Sequence, residues 1–466
     1  MHVTIKHRPR RLQIRSDFSK VHLQHSLIRP WRIPILRTPK LRREMGPISG
    51  TGLMISPLRV IRVFRGSLPF NPDKLRSELT SRYGADPDSI QVVRSPYRIC
   101  PIGAHIDHQL GPVTAMAIDR AVYLTFAPSG SGDVKLASDL FEGEIQFSLD
   151  DVPPKDDTSW GNYACGAVEA LTASGHDLNQ GIVGYTTGQI NEGGLSSSAA
   201  VGVAYLMAFE AVNNVSVTPD ENIELDRLIE NEYLGLRNGI LDQSAIILSR
   251  HRHLTVLDCK TVSHELVPQP ESMPPYTILV AYSGVKDALV STGYNTRVDE
   301  CREAAESLLQ AIGRADDAPL LGNITPEEYQ EHKGNLNGDP AKRAEHFFTE
   351  SARVEQGVDA WKAGDLLRFG DLISESGRSS IENYESGSEP LIDLYNILIE
   401  TDGVLGARFS GGGFRGCSIA LVEPDKAESA AEQVALEYTK KQPEQAAQSD
   451  GVLICHPADG ASIIED

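Results

Sequence analysis

Residues 193–200 read Gly-Gly-Leu-Ser-Ser-Ser-Ala-Ala, and the chain runs on through residues 199–212 as AAVGVAYLMAFEAV. The two glycines permit a tight, open backbone. The run after them has no proline and is rich in good helix formers, so it predicts a helix over 199–212. A serine-rich loop that opens a helix presents unpaired N–H groups at the positive end of the helix dipole, which suits an anion. The anion expected here is a nucleotide phosphate. Taken alone, the same octet also fits a close helix-packing contact or a plain loop of small residues, and its neighbours in the sequence must decide.

Composition narrows the function classes. The chain has 466 residues, 40% of them hydrophobic, and a formal net charge of −20. No stretch approaches the roughly 20 consecutive apolar residues of a membrane-spanning helix. Residues 1–65 hold 15 of the 44 Lys and Arg against two acids, Asp17 and Glu44, so the body is strongly acidic. Such a body repels a nucleic-acid backbone and suits an enzyme acting on a small molecule; no obligate protein partner is inferred, and the expected setting is the cytoplasm, or an organelle if the leader is a transit peptide. The leader over 1–65 is Arg-rich, broken by prolines, and lacks the apolar core of a secretory signal. It reads as an unstructured tail, with Met45 or Met54 as a later start, as a transit peptide to an organelle, or as a nucleic-acid arm. The six cysteines at 100, 165, 259, 301, 417 and 455 form neither a CxxC pair nor a zinc pattern, which implies a reducing compartment and buried, inert thiols.

Along the body, the patterns predict helices over 68–83 (with Asn71 as cap before Pro72), 160–172, 221–236, 297–312 and 341–382. Strands are expected over 90–93, 98–100, 121–126, 144–147, 182–187, 254–257, 276–282, 404–409 and 417–422. Residues 315–340 read as a polar loop, and the proline-rich 268–275 as a linker between domains over 66–267 and 276–466. Strands and helices do not alternate strictly, so the expected class is α+β. Gly411, Gly413 and Gly416 satisfy GxGxxG, but a strand rather than a helix follows them, which rejects a dinucleotide fingerprint. They read instead as a strand-to-strand turn that approaches another backbone or a ligand.

Four motifs stand in order: Ser95-Pro-Tyr-Arg98-Ile-Cys-Pro-Ile-Gly103-Ala104-His105-Ile-Asp107-His108, the serine loop, Gly239-Ile-Leu-Asp242-Gln243, and Gly411-Gly-Gly413. Together they resemble the GHMP kinase family, and within it the galactokinase branch, with its GRVNLIGEHTD signature, GLSSSA loop, GIMDQ segment and late GAGFGG turn. The resemblance covers residues from about 90 to the C-terminus. It implies a two-lobed fold with the active site between the lobes, ATP as phosphoryl donor and magnesium as cofactor. By position it implies catalytic roles for Asp242 and Arg98. It implies phosphate binding by Gly193, Gly194, Leu195, Ser196, Ser197, Ser198 and Ala199, and metal binding by Ser197 or Ser198 with Glu230. It implies sugar contacts at Ala104, His105, Asp107, Gly239 and Tyr294. Phosphoryl transfer needs such groups because its demands are positioning and charge stabilisation. Each residue also has an ordinary structural alternative: Asp242 as a helix cap, Glu230 as a solvated position rivalled by Glu232, Arg98 as partner of a structural acid, His105 as a core histidine, Asp107 as a turn cap.

Two departures from the branch carry information. Ala104 stands where galactokinases have the glutamate of Gly-Glu-His, which contacts the hydroxyl on carbon six. Loss of that carboxylate relieves a repulsion of about 1–4 kcal/mol against a sugar acid at 4 Å. The run PYRICPIGAHIDH is also similar to galacturonokinases, the uronate-specific members. The expected reaction is therefore ATP-dependent phosphorylation of D-galacturonate at its anomeric hydroxyl. The alternatives are a galactokinase, or a non-catalytic sugar sensor, which the intact serine loop opposes. The second departure is Leu110-Gly111 where the branch has Gly-Gly. Lys286 and Arg297 are candidates, by charge alone, to meet the substrate carboxylate.

Overall fold

The computed structural model describes residues 63–64, 71–156, 159–188, 193–236, 238–285 and 293–464. Of the expected leader, only Val63–Phe64 lies among them, and that pair runs parallel to Val452–Leu453 at a sheet edge. Residues 57–466 form one compact unit.

The first sheet is organised by one long strand, Pro112–Pro128, with 14 buried positions in its central run and little polar relief. One of its edges pairs with Gln91–Ile99. The other pairs successively with His253–Asp258, Pro457–Ala458 and Ile182–Gly188. Asp133–Ser138 continues the sheet in parallel, and Ile145–Ser148 closes it. The two short strands expected over 90–93 and 98–100 are thus one strand with an irregularity between Pro96 and Arg98. That irregularity re-aims Arg98, a familiar use of a bulge beside a site.

The serine-loop helix, Ser197–Asn213, is apolar on nearly all sides and is correspondingly enclosed. It lies against Gln91–Ile99, Pro112–Pro128 and the helix Asn162–Ala173. The helix expected over 221–236 is instead Pro219–Leu228, capped by Thr218, followed by a π turn at Ile229–Tyr233.

The second sheet has the order Val404–Phe409, Cys417–Val422, Thr277–Tyr282, Val452–Cys455, Val63–Phe64. Thr277–Tyr282 is buried along its whole length because sheet and helices cover both its faces. Glu389–Ile399 and Ala427–Lys441, two helices the polar periodicity did not reveal, pack on this sheet. The helical stretch expected over 341–382 is two helices, Gly338–Ala363 and Leu366–Glu382, separated where Gly364 turns left-handed. The expected loop over 315–340 contains the helix Pro326–His332, which a Thr325–Glu328 capping box starts.

The largest apolar cluster joins both sheets: Tyr97, Ile99, Met116 and Val203 share it with Ile278, Ile419, Trp361 and Phe369. The stretch 268–275 separates two sheets but not two cores, since Met273 and Tyr276 are buried in that cluster. After crossing the second sheet, the chain returns, and Gly460 and Ala461 donate to carbonyls at the end of the helix Leu241–Leu248. All six cysteines are buried thiols outside any disulfide, as their spacing implied.

Candidate active site

Ser196 takes a left-handed backbone (φ 56°) immediately before the helix Ser197–Asn213 and makes no side-chain cap. The first helical N–H groups thus receive no side-chain cap from Ser196, whose own hydroxyl is buried without a partner among the described residues. This is the geometry of an anion cradle. The turn carrying Gly411, Gly413 and Gly416 seals it from the other sheet. A Cβ on Gly194 would lie 2.8 Å from the Cys417 Sγ and 2.9 Å from its backbone nitrogen, and one on Gly416 would lie 2.3 Å from the Gly193 carbonyl oxygen. Strand-to-strand glycines that approach another backbone are what the pattern at 411–416 predicted.

Arg98 reaches the same place from the strand Gln91–Ile99. Its Nε donates to Asp242 Oδ1 at 2.8 Å, its Nη2 meets the same oxygen at 2.7 Å, and its Nη1 donates to the Gly194 carbonyl at 3.1 Å. Its backbone N–H also donates to the Leu195 carbonyl. Asp242 lies in the first turn of Leu241–Leu248 but does not cap it: Ile240 holds the cap position, without a side-chain bond. Arg98 and Asp242 are thus each other's partner, 144 residues apart in sequence.

Between Glu230 and Glu232 the structure chooses clearly. The π turn directs Glu230 into the interior, fully buried, while Glu232 is exposed. Wide turns of this kind recur at functional positions. Glu230 Oε2 accepts from Asn238 Nδ2 at 2.8 Å, and Oε1 has no hydrogen-bond partner among the described residues. The Ser198 hydroxyl lies beside both this carboxylate and the Tyr163 hydroxyl. Burial and the nearby Asp242 raise the proton affinity of Glu230 above that of an ordinary glutamate. A buried carboxylate oxygen left open next to a serine hydroxyl fits a magnesium ion, which prefers hard oxygen ligands. Asp226, one turn earlier, escaped the sequence reading. It is fully buried, neither carboxylate oxygen has a partner among the described residues, and its Oδ1 would lie 2.1 Å from a Cβ on Gly202. The glycine in the serine-loop helix is the one signal that could have revealed it.

The loop after Ile99 builds the other half of the site. Glu350 and His346, one turn apart on Gly338–Ala363, hold it: Gly103 N–H donates to Glu350 Oε1 at 2.7 Å, and His346 Nε2 donates to the Ala104 carbonyl at 3.0 Å. Glu350 is itself buried among Arg353, Arg408 and Ser376. Against the effect of burial, His346 first and then Arg353 and Arg408 hold its carboxyl below the usual glutamate range. Ala104 is 6% exposed, its methyl group among apolar neighbours. His105 has φ 65°, stacks on Tyr384 at 4.3 Å between centroids, and sits 3.4 Å from Ser386 Oγ. Burial, with Arg408 nearby, keeps its imidazole neutral. Asp107 starts a short 3-10 turn, Asp107–Gln109, and a Cβ on Gly239 would lie 2.3 Å from its Oδ2. Burial first, then Asp242, pushes the Asp107 carboxyl up to about 6. A cavity of about 470 Å³ opens here, lined in part by Asp107, His108, Asn231, Asn238 and Gly239.

Leu110 answers the second departure: it takes φ 66°, the conformation a glycine would adopt without strain. Arg297 is bound to Glu300 Oε1 at 2.9 Å and to the Glu385 carbonyl, so its charge is already engaged. Tyr294 opens the helix Tyr294–Ile312, but its side chain, like all of Lys286, lies outside the described residues.

Comparison with known proteins agrees with this arrangement. Residues 162–250 match the GHMP kinases N terminal domain, 358–440 the GHMP kinases C terminal domain, and 77–128 the galactokinase galactose-binding signature. The chain is 51% identical over 414 residues to a galacturonokinase of Arabidopsis thaliana, covering 84% of this chain and 98% of the relative. It is 30% identical over 394 residues to a galactokinase of Roseiflexus sp. (strain RS-1), covering 84% and 97%. The crystal structure of Lactococcus lactis galactokinase complexed with galactose superposes with a TM-score of 0.78 at 30% identity, covering 84% of this chain and 99% of that one. The Methanococcus jannaschii mevalonate kinase shares the fold at a TM-score of 0.57 and 16% identity, covering 79% and 98%. Motifs, fold and relatives agree: the chain belongs to the GHMP kinase family, among the sugar kinases of its galactokinase branch.

Proposed function

We propose that this kinase transfers the terminal phosphoryl group of ATP to the anomeric hydroxyl of D-galacturonate, giving D-galacturonate 1-phosphate and ADP. The observation that carries the substrate is the 51% identity to a galacturonokinase along nearly its whole length. Ala104 at the position of the galactokinase glutamate gives that identity a physical reason, because it removes a negative charge where a uronate brings its own.

In this reading Gly193–Ala199 cradles the ATP phosphates with backbone N–H groups. Glu230 and Ser198, with Ser197 alongside, would hold magnesium, which when bound would offset phosphate charge. Asp242 accepts the proton of the anomeric hydroxyl as its oxygen bonds to the γ-phosphorus and the bond to the β,γ-bridging oxygen breaks. Arg98 fixes the Asp242 carboxylate through two contacts to one oxygen and leaves its own charge beside the transferring group. His105, Asp107 and Gly239 orient the sugar, with Ala104 beside its carbon-six end and Tyr294 as a further contact. The acidic body and absence of a nucleic-acid motif suit a small-molecule enzyme of the cytoplasm. Among the described residues no helix is long and apolar enough to cross a membrane.

The deciding experiment compares initial rates on D-galacturonate, D-glucuronate and D-galactose with MgATP. Galacturonate is expected to have the highest kcat/KM. Equal or faster turnover of galactose would overturn the substrate while sparing the kinase.

A further inference from the structure

The glycine turn brings one charged side chain to the phosphate cradle, and nothing in the mechanism above uses it. Arg415 lies between Phe414 and Gly416, in the segment GGGFRG that corresponds to the branch's GAGFGG, so a guanidinium occurs where the related turn has only hydrogen. Its carbon Cζ lies 3.5 Å, and its Nε 3.6 Å, from the point a Gly193 Cβ would occupy. Backbone contacts fix the turn on both sides of it: a Cβ on Gly411 would lie 3.0 Å from Gly194 Cα, and one on Gly416 2.3 Å from the Gly193 oxygen. Arg415 also acts electrostatically on Tyr163, whose hydroxyl is beside Ser198. It is half-buried, and no described carboxylate forms an ion pair with it. Its charge therefore stands beside Gly193, at the start of the serine loop.

We infer that Arg415 binds the nucleotide phosphates directly, closing the cradle from the second sheet. The inference rests on reading the serine loop as the ATP site. A planar guanidinium suits two phosphate oxygens at once, which an ammonium does not reproduce. A uronate also brings a second anion into a cleft that already holds ATP, and Arg415 supplies charge that a neutral sugar would not require.

Three variants test this: Arg415→Met keeps the stem and removes the charge, Arg415→Lys keeps the charge without the fork, and Arg415→Gly restores the related turn. Binding of ADP with magnesium, and separately of adenosine, is measured by calorimetry, with the KM for D-galacturonate alongside. Arg415→Met and Arg415→Gly are expected to weaken MgADP binding on the order of tenfold and Arg415→Lys by less. Adenosine affinity and galacturonate KM should stay within twofold. MgADP affinity within twofold of wild type in both charge-removing variants overturns the inference. So does an equal loss for adenosine, which would mean a damaged turn, or a rise in galacturonate KM alone, which would place Arg415 on the sugar. A wild-type chain that binds MgADP but leaves D-galacturonate unphosphorylated breaks the proposed function and not this inference.

Discussion

The two sides of the cleft, proposed to bind phosphate and sugar respectively, are made from different materials. The phosphate side is backbone against backbone: Gly193 and Gly194 meet Gly411, Gly416 and Cys417 so closely that a single added carbon collides. The sugar side is side chain against backbone: Glu350 and His346 reach across to grip Gly103 and Ala104, and Tyr384 and Ser386 support His105. Close backbone contact of this kind fixes a geometry that tolerates little change. A loop held from behind by side chains can exchange the residue facing the ligand without losing its path. In the proposed function, that difference lets position 104 vary with the substrate while the serine loop keeps its motif.

The largest expected effect lies where the two sides meet. Asp242→Asn should lower kcat by about 10³-fold or more while ADP still binds, because the amide keeps the Arg98 contact geometry but cannot take a proton. Rates close to wild type would remove Asp242 from the chemistry. On the phosphate side, Gly194→Ala should cost about 2–4 kcal/mol of stability, since the new methyl meets Cys417 and the backbone is held at φ 104°. Thermal unfolding checks it, and an unchanged Tm would mean the turn and the loop can part cheaply.

On the sugar side, Ala104→Glu, which puts a carboxylate at a buried position, should move the galacturonate-to-galactose ratio of kcat/KM by roughly tenfold toward galactose in the folded enzyme. An unaltered ratio would separate Ala104 from the substrate's acid group. The smallest effect is a pH dependence. Burial, and then Asp242, push the Asp107 carboxyl up to about 6 in the folded chain, above the ordinary aspartate value. Its carboxylate is therefore lost as pH falls through about 6, so kcat/KM for the sugar should decline there while MgADP affinity does not, and Asp107→Asn should flatten the decline. The same shift favours the folded protonated form, so its contribution to stability is full below pH 4 and disappears as pH rises through about 6. A sugar profile flat between pH 5 and 7 would contradict this.

Much of this was legible in the sequence. Helix formers after the serine loop, strand patterns either side of Gly411–Gly416 and the cap Asn71 before Pro72 are local signals, and the elements formed within a few residues of the expected limits. The long strand Pro112–Pro128 and the helix Ala427–Lys441 were underread, because a strand buried on both faces loses its alternation and a helix rich in alanine and charge lacks a strong apolar stripe.

What the residues determined alone was the loop, its helix, the glycine turn and the ordered motifs, since these depend on dihedral preference and periodicity over short spans. Only the tertiary structure decided that Arg98 and Asp242 share a bond, that Glu230 rather than Glu232 points inward, that Asp226 lies behind it, and that Arg415 comes to rest against Gly193. Those outcomes depend on how two sheets close over one shared core, bringing together side chains separated by up to hundreds of residues. No local pattern encodes that closure.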